Sequence, residues 1–263
     1  MAAWRYYNTH DKPACDPLGP FMRPVVLIPA RMGSRRLPGK PLAPIAGAPM
    51  IVHVWRRARR ADVGPVYVAT DTQEIAAAVE AAGGAALLTP LDCPSGSDRI
   101  AHALAALDPD RAYDVVVNVQ GDEPLIDPAA IRAAVALMAD AAVDIGTLAC
   151  LATDPAERAD PNAVKIGATR IGPDRLRAHY FTRAPAPWGR GEDFRHIGLY
   201  AFRRAALERF VALPPSPLER RERLEQWRAL EAFMRIDAAL VAQGPRGVDT
   251  PDDLARVRKD CEP

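Results

Sequence analysis

Val25-Val26-Leu27-Ile28-Pro29-Ala30-Arg31-Met32-Gly33-Ser34-Arg35-Arg36-Leu37-Pro38-Gly39-Lys40-Pro41 is the stretch from which the rest of the chain can be read. Its first four residues are a continuous apolar run, mostly β-branched, the pattern of a strand buried on both faces. The chemistry then reverses: Arg31, Arg35, Arg36 and Lys40 are interleaved with Gly33, Ser34, Pro38 and Gly39. Glycines let backbone N–H groups come close to a ligand, while cations gathered at the end of a buried strand repel one another. A polyanion relieves that repulsion, and a nucleoside triphosphate fits; the competing reading is a solvated basic loop at a sheet edge. A Walker A loop is excluded, because five residues separate Gly33 from Gly39 and Pro41 follows Lys40 where a hydroxyl is required. Gly-x-Gly-x-x-Gly is absent too, so a dinucleotide fingerprint has no support.

The chain around this stretch has 263 residues, 49% of them hydrophobic, and a formal net charge of +1. That length can bury a substantial core in one α/β domain. A near-neutral chain is not built to hold a nucleic-acid backbone, and no apolar run nears the roughly 20 residues that span a bilayer. Neither nucleic acid nor membrane is an expected partner. Cys15, Cys93, Cys150 and Cys261 are far apart without a C-x-x-C pair, which fits inert thiols in a reducing cytoplasm and offers no metal-site spacing. Of 34 basic residues only Lys12, Lys40, Lys165 and Lys259 are lysine. The interior pair, Lys40 and Lys165, marks places for a compact ammonium rather than a planar fork; chance placement is the alternative. Residues 1–23 carry charges and prolines without an apolar stretch and are read as a poorly ordered N-terminal extension, not a signal peptide.

From Val25 strands and helices alternate. PMIVHVWRRARR puts Ile51, Val54 and Ala58 on one helical stripe. The strand Val66-Tyr67-Val68-Ala69 ends at Thr70-Asp71, predicted to cap an Ala-rich helix that stops at Gly83-Gly84. A short strand near Leu87-Leu88 leads to Cys93-Pro94-Ser95-Gly96-Ser97-Asp98-Arg99, which opens the next helix. The strand from Val115 to Gln120 runs into Gly121-Asp122-Glu123-Pro124; Asp127-Pro128 then starts a helix, and a strand follows over 144–150. This order predicts an α/β fold with a mostly parallel, doubly wound sheet and ligands at the C-terminal strand ends. Over 162–234 the pattern changes. VKIGATRIG, RLRAHYFTR and FRHIGLYAFR read as a smaller antiparallel β-rich insertion, and PLERRERLEQWRALEAF as one helix with Leu218, Leu224, Trp227 and Leu230 along a side. RIDAALVAQ is another strand, after which Thr250, Pro251 and Asp253 make a helix start. Residues 24–260 are expected to form a single domain.

Two carboxylates stand apart from this framework. Asp122 follows a buried strand at the sheet end where the basic loop also emerges, although Gly-Asp is also common in plain turns. Asp249 precedes the last helix, whose cap Thr250 serves better. A triphosphate needs a divalent metal for transfer chemistry, and hard Mg²⁺ takes one or two carboxylates plus phosphate oxygens. Asp122 and Asp249 are the candidate pair.

IPARMGSRRLPGKPL, VATD, CPSGSDR, VNVQGDEP, PNAVK, YFTRAPAPW, RHIGLYAFR, PSPLE followed by LEQWR, and GVDTPDDLARVR occur in a telling order and spacing. From Pro24 to Lys259 the chain resembles the 3-deoxy-manno-octulosonate cytidylyltransferase (CMP-Kdo synthetase) family. The resemblance implies a Rossmann-like nucleotidyltransferase fold and a cytoplasmic homodimer. It implies transfer of CMP from CTP to the anomeric hydroxyl of 3-deoxy-D-manno-octulosonate (Kdo), with Mg²⁺ as cofactor, activating Kdo for lipopolysaccharide synthesis. Residue by residue, Arg31, Ser34, Arg36 and Lys40 match the family's triphosphate loop, and Thr70, Asp71, Ser95, Gly96 and Arg99 its cytidine contacts. Asp122 and Asp249 match the metal carboxylates; with Arg31 and Lys40 they form the implied catalytic set. Gln120, Arg183, His196, Tyr200, Glu225 and Gln226 match sugar-acid positions, and 162–234 becomes a sugar-binding and dimerisation insertion. The departures are Met32-Gly33 and Arg35 where relatives often carry Tyr-Ala and Thr, SGSDR for SGTER, and APAPW for ATIPW; none removes a metal or phosphate group. Three alternatives stay open: a cytidylyltransferase for 8-amino-Kdo or sialate, a sugar-1-phosphate nucleotidyltransferase, and a non-catalytic nucleotide-binding module.

Overall fold

The structure, a computed structural model, describes residues 22–34, 36–244 and 247–261. Most of the 1–23 extension, and Arg35 of the basic loop, lie outside those residues. The chain opens with β1 (Pro24–Ala30), a two-residue hairpin of β2 (Pro44–Ile45) and β3 (Ala48–Pro49), and α1 (Met50–Arg60). It continues through β4 (Val66–Thr70), α2 (Gln73–Ala81), β5 (Ala85–Leu88), α3 (Gly96–Leu107), β6 (Val115–Asn118) and α4 (Pro128–Ala136). Next come β7 (Ile145–Leu151), α5 (Pro155–Ala159), β8 (Lys165–Gly172), β9 (Arg175–Thr182) and β10 (Phe194–Arg203). The chain ends with α6 (Arg204–Ala212), α7 (Pro217–Glu222), α8 (Gln226–Glu231), β11 (Ile236–Leu240) and α9 (Pro251–Asp260).

As its apolar run requires, β1 is central and buried on both faces. Val26 and Ile28 pack on one side with Ile51 and Val54 of α1, Ile75 of α2 and Ile131 of α4. Val25 and Leu27 face the other way, toward Ile100 and Leu104 of α3 and Leu207 and Phe210 of α6. Each such side chain, sealed from water, contributes about 1.5–3 kcal/mol. The nine-stranded sheet has the order β5-β4-β1-β6-β10-β7-β11-β9-β8. Its first four strands are all parallel, as the strand–helix alternation predicts. The antiparallel strands of the insertion continue the same sheet: β10 joins it to β6, and β11 pairs parallel to β7 but antiparallel to β9. Because β8 also meets β10 at Arg195 and Lys165, the pairings β10-β7-β11-β9-β8 close on themselves.

Two local expectations are corrected. The residue at the N-cap position of the Ala-rich helix is Thr72, not Thr70 or Asp71, and its side chain makes no capping bond; Asp71 is drawn to Arg99 instead. The helix expected over PLERRERLEQWRALEAF is two short helices, α7 and α8. Arg223 between them adopts a left-handed conformation (φ 56°), and Arg183 donates to the carbonyls of Glu222 and Arg223 at the break. The C-terminal start behaves as predicted, with a reciprocal capping box between Thr250 and Asp253. A third apolar cluster, Ile45, Met50, Val248, Leu254 and Val257, fastens that end beside the basic loop.

Candidate active site

The parallel strands deliver their C-terminal ends to one cleft of about 650 Å³. The basic loop forms one wall, with Arg31, Ser34, Arg36 and Lys40 all lining the cleft. Gly39, at φ 69°, makes the left-handed turn that starts the 3-10 turn Lys40–Leu42. The backbone N–H of Leu37 donates to Ser34 Oγ at 3.3 Å, bracing the loop. Across the cleft Asp122 follows Gly121, where a Cβ would sit 2.7 Å from the carbonyl oxygen of Pro29. Only glycine allows the end of β6 to approach β1 so closely.

Lys40 ties these pieces together. Its Nζ donates to Asp122 Oδ2 at 2.6 Å, to the Val248 carbonyl at 2.9 Å and to Asp249 Oδ1 at 3.1 Å. Asp249 also pairs with Arg36 at 2.9 Å. The Val248 N–H donates to the Asp122 carbonyl at 2.9 Å, fixing the two acidic segments side by side. Burial pulls the Lys40 pKa down, but the two carboxylates outweigh it and hold the ammonium above its ordinary value.

The third wall is the start of α3. Ser95 caps it, accepting from the Asp98 N–H at 3.3 Å and donating to Asp98 Oδ2 at 2.7 Å. Gly96 lies next to it in the cleft. Of the other expected nucleotide contacts, Arg99 touches the cleft but is almost wholly buried, donating to Thr89 Oγ1 at 2.5 Å, the Pro90 carbonyl at 3.2 Å and Asp71 Oδ2 at 3.4 Å. Asp71 Oδ1 is sealed without a partner. Thr70 is fully buried, its carbonyl accepting from the N–H and hydroxyl of Thr89.

Gln120 leads from this cleft to a second polar group. It lines the cleft, and its Nε2 donates to Asn118 Oδ1 at 3.4 Å, opposite Tyr200 in the β6–β10 pairing. His196 and Tyr200 project from β10, and Gln226 Nε2 donates to the Tyr200 hydroxyl at 2.6 Å. Glu225 Oε2 accepts from Ser97 at 3.0 Å, bonding the turn before α8 to α3. Arg183 stands apart from the cleft lining: Nε donates to the Glu222 carbonyl at 2.9 Å, Nη1 to Pro161 at 2.8 Å and Nη2 to Arg223 at 3.4 Å. Burial sets the titration of this group. It pushes His196 down to about 3, keeping the imidazole neutral. It raises Tyr200 well above the usual phenol range and Glu225 above the usual carboxylate range.

The comparisons follow this geometry. The cytidylyltransferase family model matches residues 25–236. A 3-deoxy-manno-octulosonate cytidylyltransferase of Methylobacterium sp. (strain 4-46) is 63% identical over 235 residues, which is 89% of this chain and 95% of that protein. One from Mesorhizobium japonicum is 62% identical over 237 residues, covering 90% and 98%. The chain belongs to the 3-deoxy-manno-octulosonate cytidylyltransferase family. A solved CMP:2-keto-3-deoxy-manno-octonic acid synthetase complexed with CTP superposes with a TM-score of 0.83 at 40% identity, covering 90% of this chain and 97% of that one. A UDP-glucose pyrophosphorylase complexed with UDP-glucose reaches a TM-score of 0.64 at 13% identity, covering 91% and 98%, which is a likeness of fold.

Some buried residues around this cleft and the polar group beside it escape sequence reasoning. Glu123, one residue past Asp122, is buried with Oε2 unpartnered, and burial with the Asp122 charge lifts its pKa to about 8. Nothing in Gly-Asp-Glu-Pro says which carboxylate turns inward. Glu219 and Arg228 form a buried pair at 2.5 Å behind α8; a nine-residue separation across a helix break carries no local signal. Thr147 lies within a β7 run that reads only as apolar strand.

Proposed function

We propose that this chain transfers CMP from CTP to the anomeric hydroxyl of Kdo, releasing pyrophosphate. The observation that carries the reading is the convergence of the basic loop, the α3 N-terminus and two carboxylates on one cleft, with a buried polar group beside it. Arg31, Arg36 and Lys40 meet the triphosphate, together with Ser34 and the N-terminal amides of α3 at Ser95 and Gly96. Asp71 and Arg99 support the cytidine end from beneath, with Thr70 anchoring the end of β4 just before Asp71 and α3 carrying Arg99.

The donor set fits Mg²⁺. Asp122 and Asp249 already share one cation, the Lys40 ammonium. Among the described residues no three His, Cys, Asp or Glu side chains gather as a protein-only cage, and Mg²⁺ characteristically completes its shell from phosphate and water. When bound, the ion supplies positive charge against the phosphate oxygens. The chain's own work is alignment and charge neutralisation: Lys40 and the arginines stabilise the negative charge that spreads over the transferring and leaving phosphates.

Arg183 grips the sugar carboxylate. Three of its five N–H donors are held by carbonyls, which orients the fork and leaves two for the substrate. Gln120, His196, Tyr200, Glu225 and Gln226 surround the sugar hydroxyls. The 162–234 insertion also carries the homodimer contact, for which fully exposed Trp188 supplies an apolar anchor. No helix among the described residues is long and apolar enough to cross a membrane, and a cytoplasmic enzyme feeding lipopolysaccharide synthesis is the setting proposed. Pyrophosphate release with CTP, Mg²⁺ and a panel of Kdo, 8-amino-Kdo, sialate and a sugar 1-phosphate tests the reading. Kdo is expected to be the preferred acceptor; preference for another acceptor overturns it.

A further inference from the structure

On β10 the pairing with β7 slips. Ile197 faces Leu148 and Ala201 faces Gly146, so Gly198, Leu199 and Tyr200 all lie opposite the single residue Thr147. A bulge of this kind re-aims side chains and leaves backbone groups to be satisfied otherwise. Thr147, fully buried, does so: its hydroxyl reaches the carbonyls of Leu199 at 2.8 Å and Ile197 at 3.3 Å. Both partners only accept, so the hydroxyl hydrogen is committed to them.

The direction of every later bond follows. Thr147 Oγ1 also lies 2.9 Å from His196 Nε2. With its hydrogen spent, the hydroxyl can only accept there, so His196 must carry its proton on Nε2 and present Nδ1 as an acceptor. Gln226 Nε2 lies 3.4 Å from that Nδ1 and 2.6 Å from the Tyr200 oxygen. The reverse amide orientation would set a carbonyl oxygen against a lone pair, so the NH₂ group faces both atoms. Tyr200 therefore accepts from Gln226, and its own O–H is free to donate. Gln226 Oε1, which accepts no hydrogen bond among the described residues, remains as an acceptor.

We propose that Thr147 is a positioning residue for the sugar site: by fixing the His196 tautomer it sets Gln226 and Tyr200 as an acceptor–donor pair facing the substrate hydroxyls. This rests on the sugar-acid reading above, but the tautomer is observable without substrate, so the two fail separately. The test compares wild type, Thr147→Val and Thr147→Ser, with histidine ¹⁵N-labelled. Long-range ¹H–¹⁵N correlation spectra are expected to report the Nε2–H tautomer in wild type and Thr147→Ser, and a shifted or mixed population in Thr147→Val. Kinetics of the same proteins are expected to show the Kdo KM raised about tenfold in Thr147→Val with the CTP KM unchanged, the size of one hydrogen bond, and near-normal values in Thr147→Ser. An Nδ1–H tautomer in wild type overturns the proposal even if Thr147→Val fails to fold. So does a folded Thr147→Val with an unmoved tautomer and an unmoved Kdo KM.

Discussion

Replacing Lys40 by Met should tighten the binding of a divalent cation while slowing the enzyme. The methionine stem is similar in length, so the packing around the side chain is kept while the ammonium is removed. That ammonium bonds both candidate metal carboxylates, at 2.6 and 3.1 Å. An arriving ion must displace it. A charge-assisted bond sealed from water is worth about 1.5–3 kcal/mol. The Asp122 and Asp249 side chains are 33% and 47% exposed, however, and screening brings each bond down to about 1 kcal/mol. Losing both therefore costs an incoming ion about 2 kcal/mol, a factor of about 30 in affinity. Calorimetric titration of Mn²⁺ or Mg²⁺ into both proteins without nucleotide measures it: Lys40→Met should bind some 30-fold tighter, to within a few-fold, while its turnover falls about 10²-fold for want of a phosphate contact. Equal or weaker binding in Lys40→Met would refute the idea that these carboxylates form the cation site.

Asp122→Asn and Asp249→Asn should each lower turnover by about 10² to 10⁴ with the fold intact; normal pyrophosphate release by either folded variant removes it from the metal set. Arg183→Ala should depress kcat/KM for Kdo severely and leave CTP binding alone, with Tyr200→Phe losing about 0.5–2 kcal/mol; wild-type Kdo kinetics in Arg183→Ala count against the carboxylate grip. Glu123 has a folded pKa of about 8 against an ordinary 4.5, so between those values the unfolded chain is ionised while the fold holds the proton. Stability is thus lost as pH rises from about 4.5 to about 8. Glu123→Gln should therefore gain melting temperature over wild type at pH 8.5 and little at pH 4.5, measured by calorimetry without added metal; equal gains at both would show that the carboxyl does not titrate this way.

What could be read in advance was local chemistry. The apolar run of β1 and the glycine-spaced cations after it have one economical placement, and Thr250-Pro251 with Asp253 is a helix start whatever its surroundings. Asp122 and Asp249 stand out in the sequence because each sits beside a feature it does not serve, and the structure brings both to the Lys40 ammonium. What was not legible depended on partners distant in the chain. Asp71 is a plausible cap until Arg99, 28 residues on, claims it. The α7–α8 break interrupts an unbroken helical pattern, because Arg183 and the left-handed Arg223 hold the chain there. The antiparallel strands announced themselves by composition, but their registration into the same sheet is decided by β10, which pairs with β6 over Tyr200 to Arg203, with β8 at Arg195 and with β7 along both of its halves.

The position of β10 bears on how a substitution spreads through the sheet. Its C-terminal half, from Tyr200 to Arg203, is bound to β6, and thus to the parallel strands whose ends form the cleft, while Ala201 and Phe202 also pair with β7. Its N-terminal half, which carries His196, pairs with β7 and, at Arg195, with β8. A substitution on β8 or β9 therefore reaches the parallel strands through the sheet only by way of β10. The joint is one strand wide, so the bulge at Gly198 to Tyr200 is where a disturbance on either side is passed to the other.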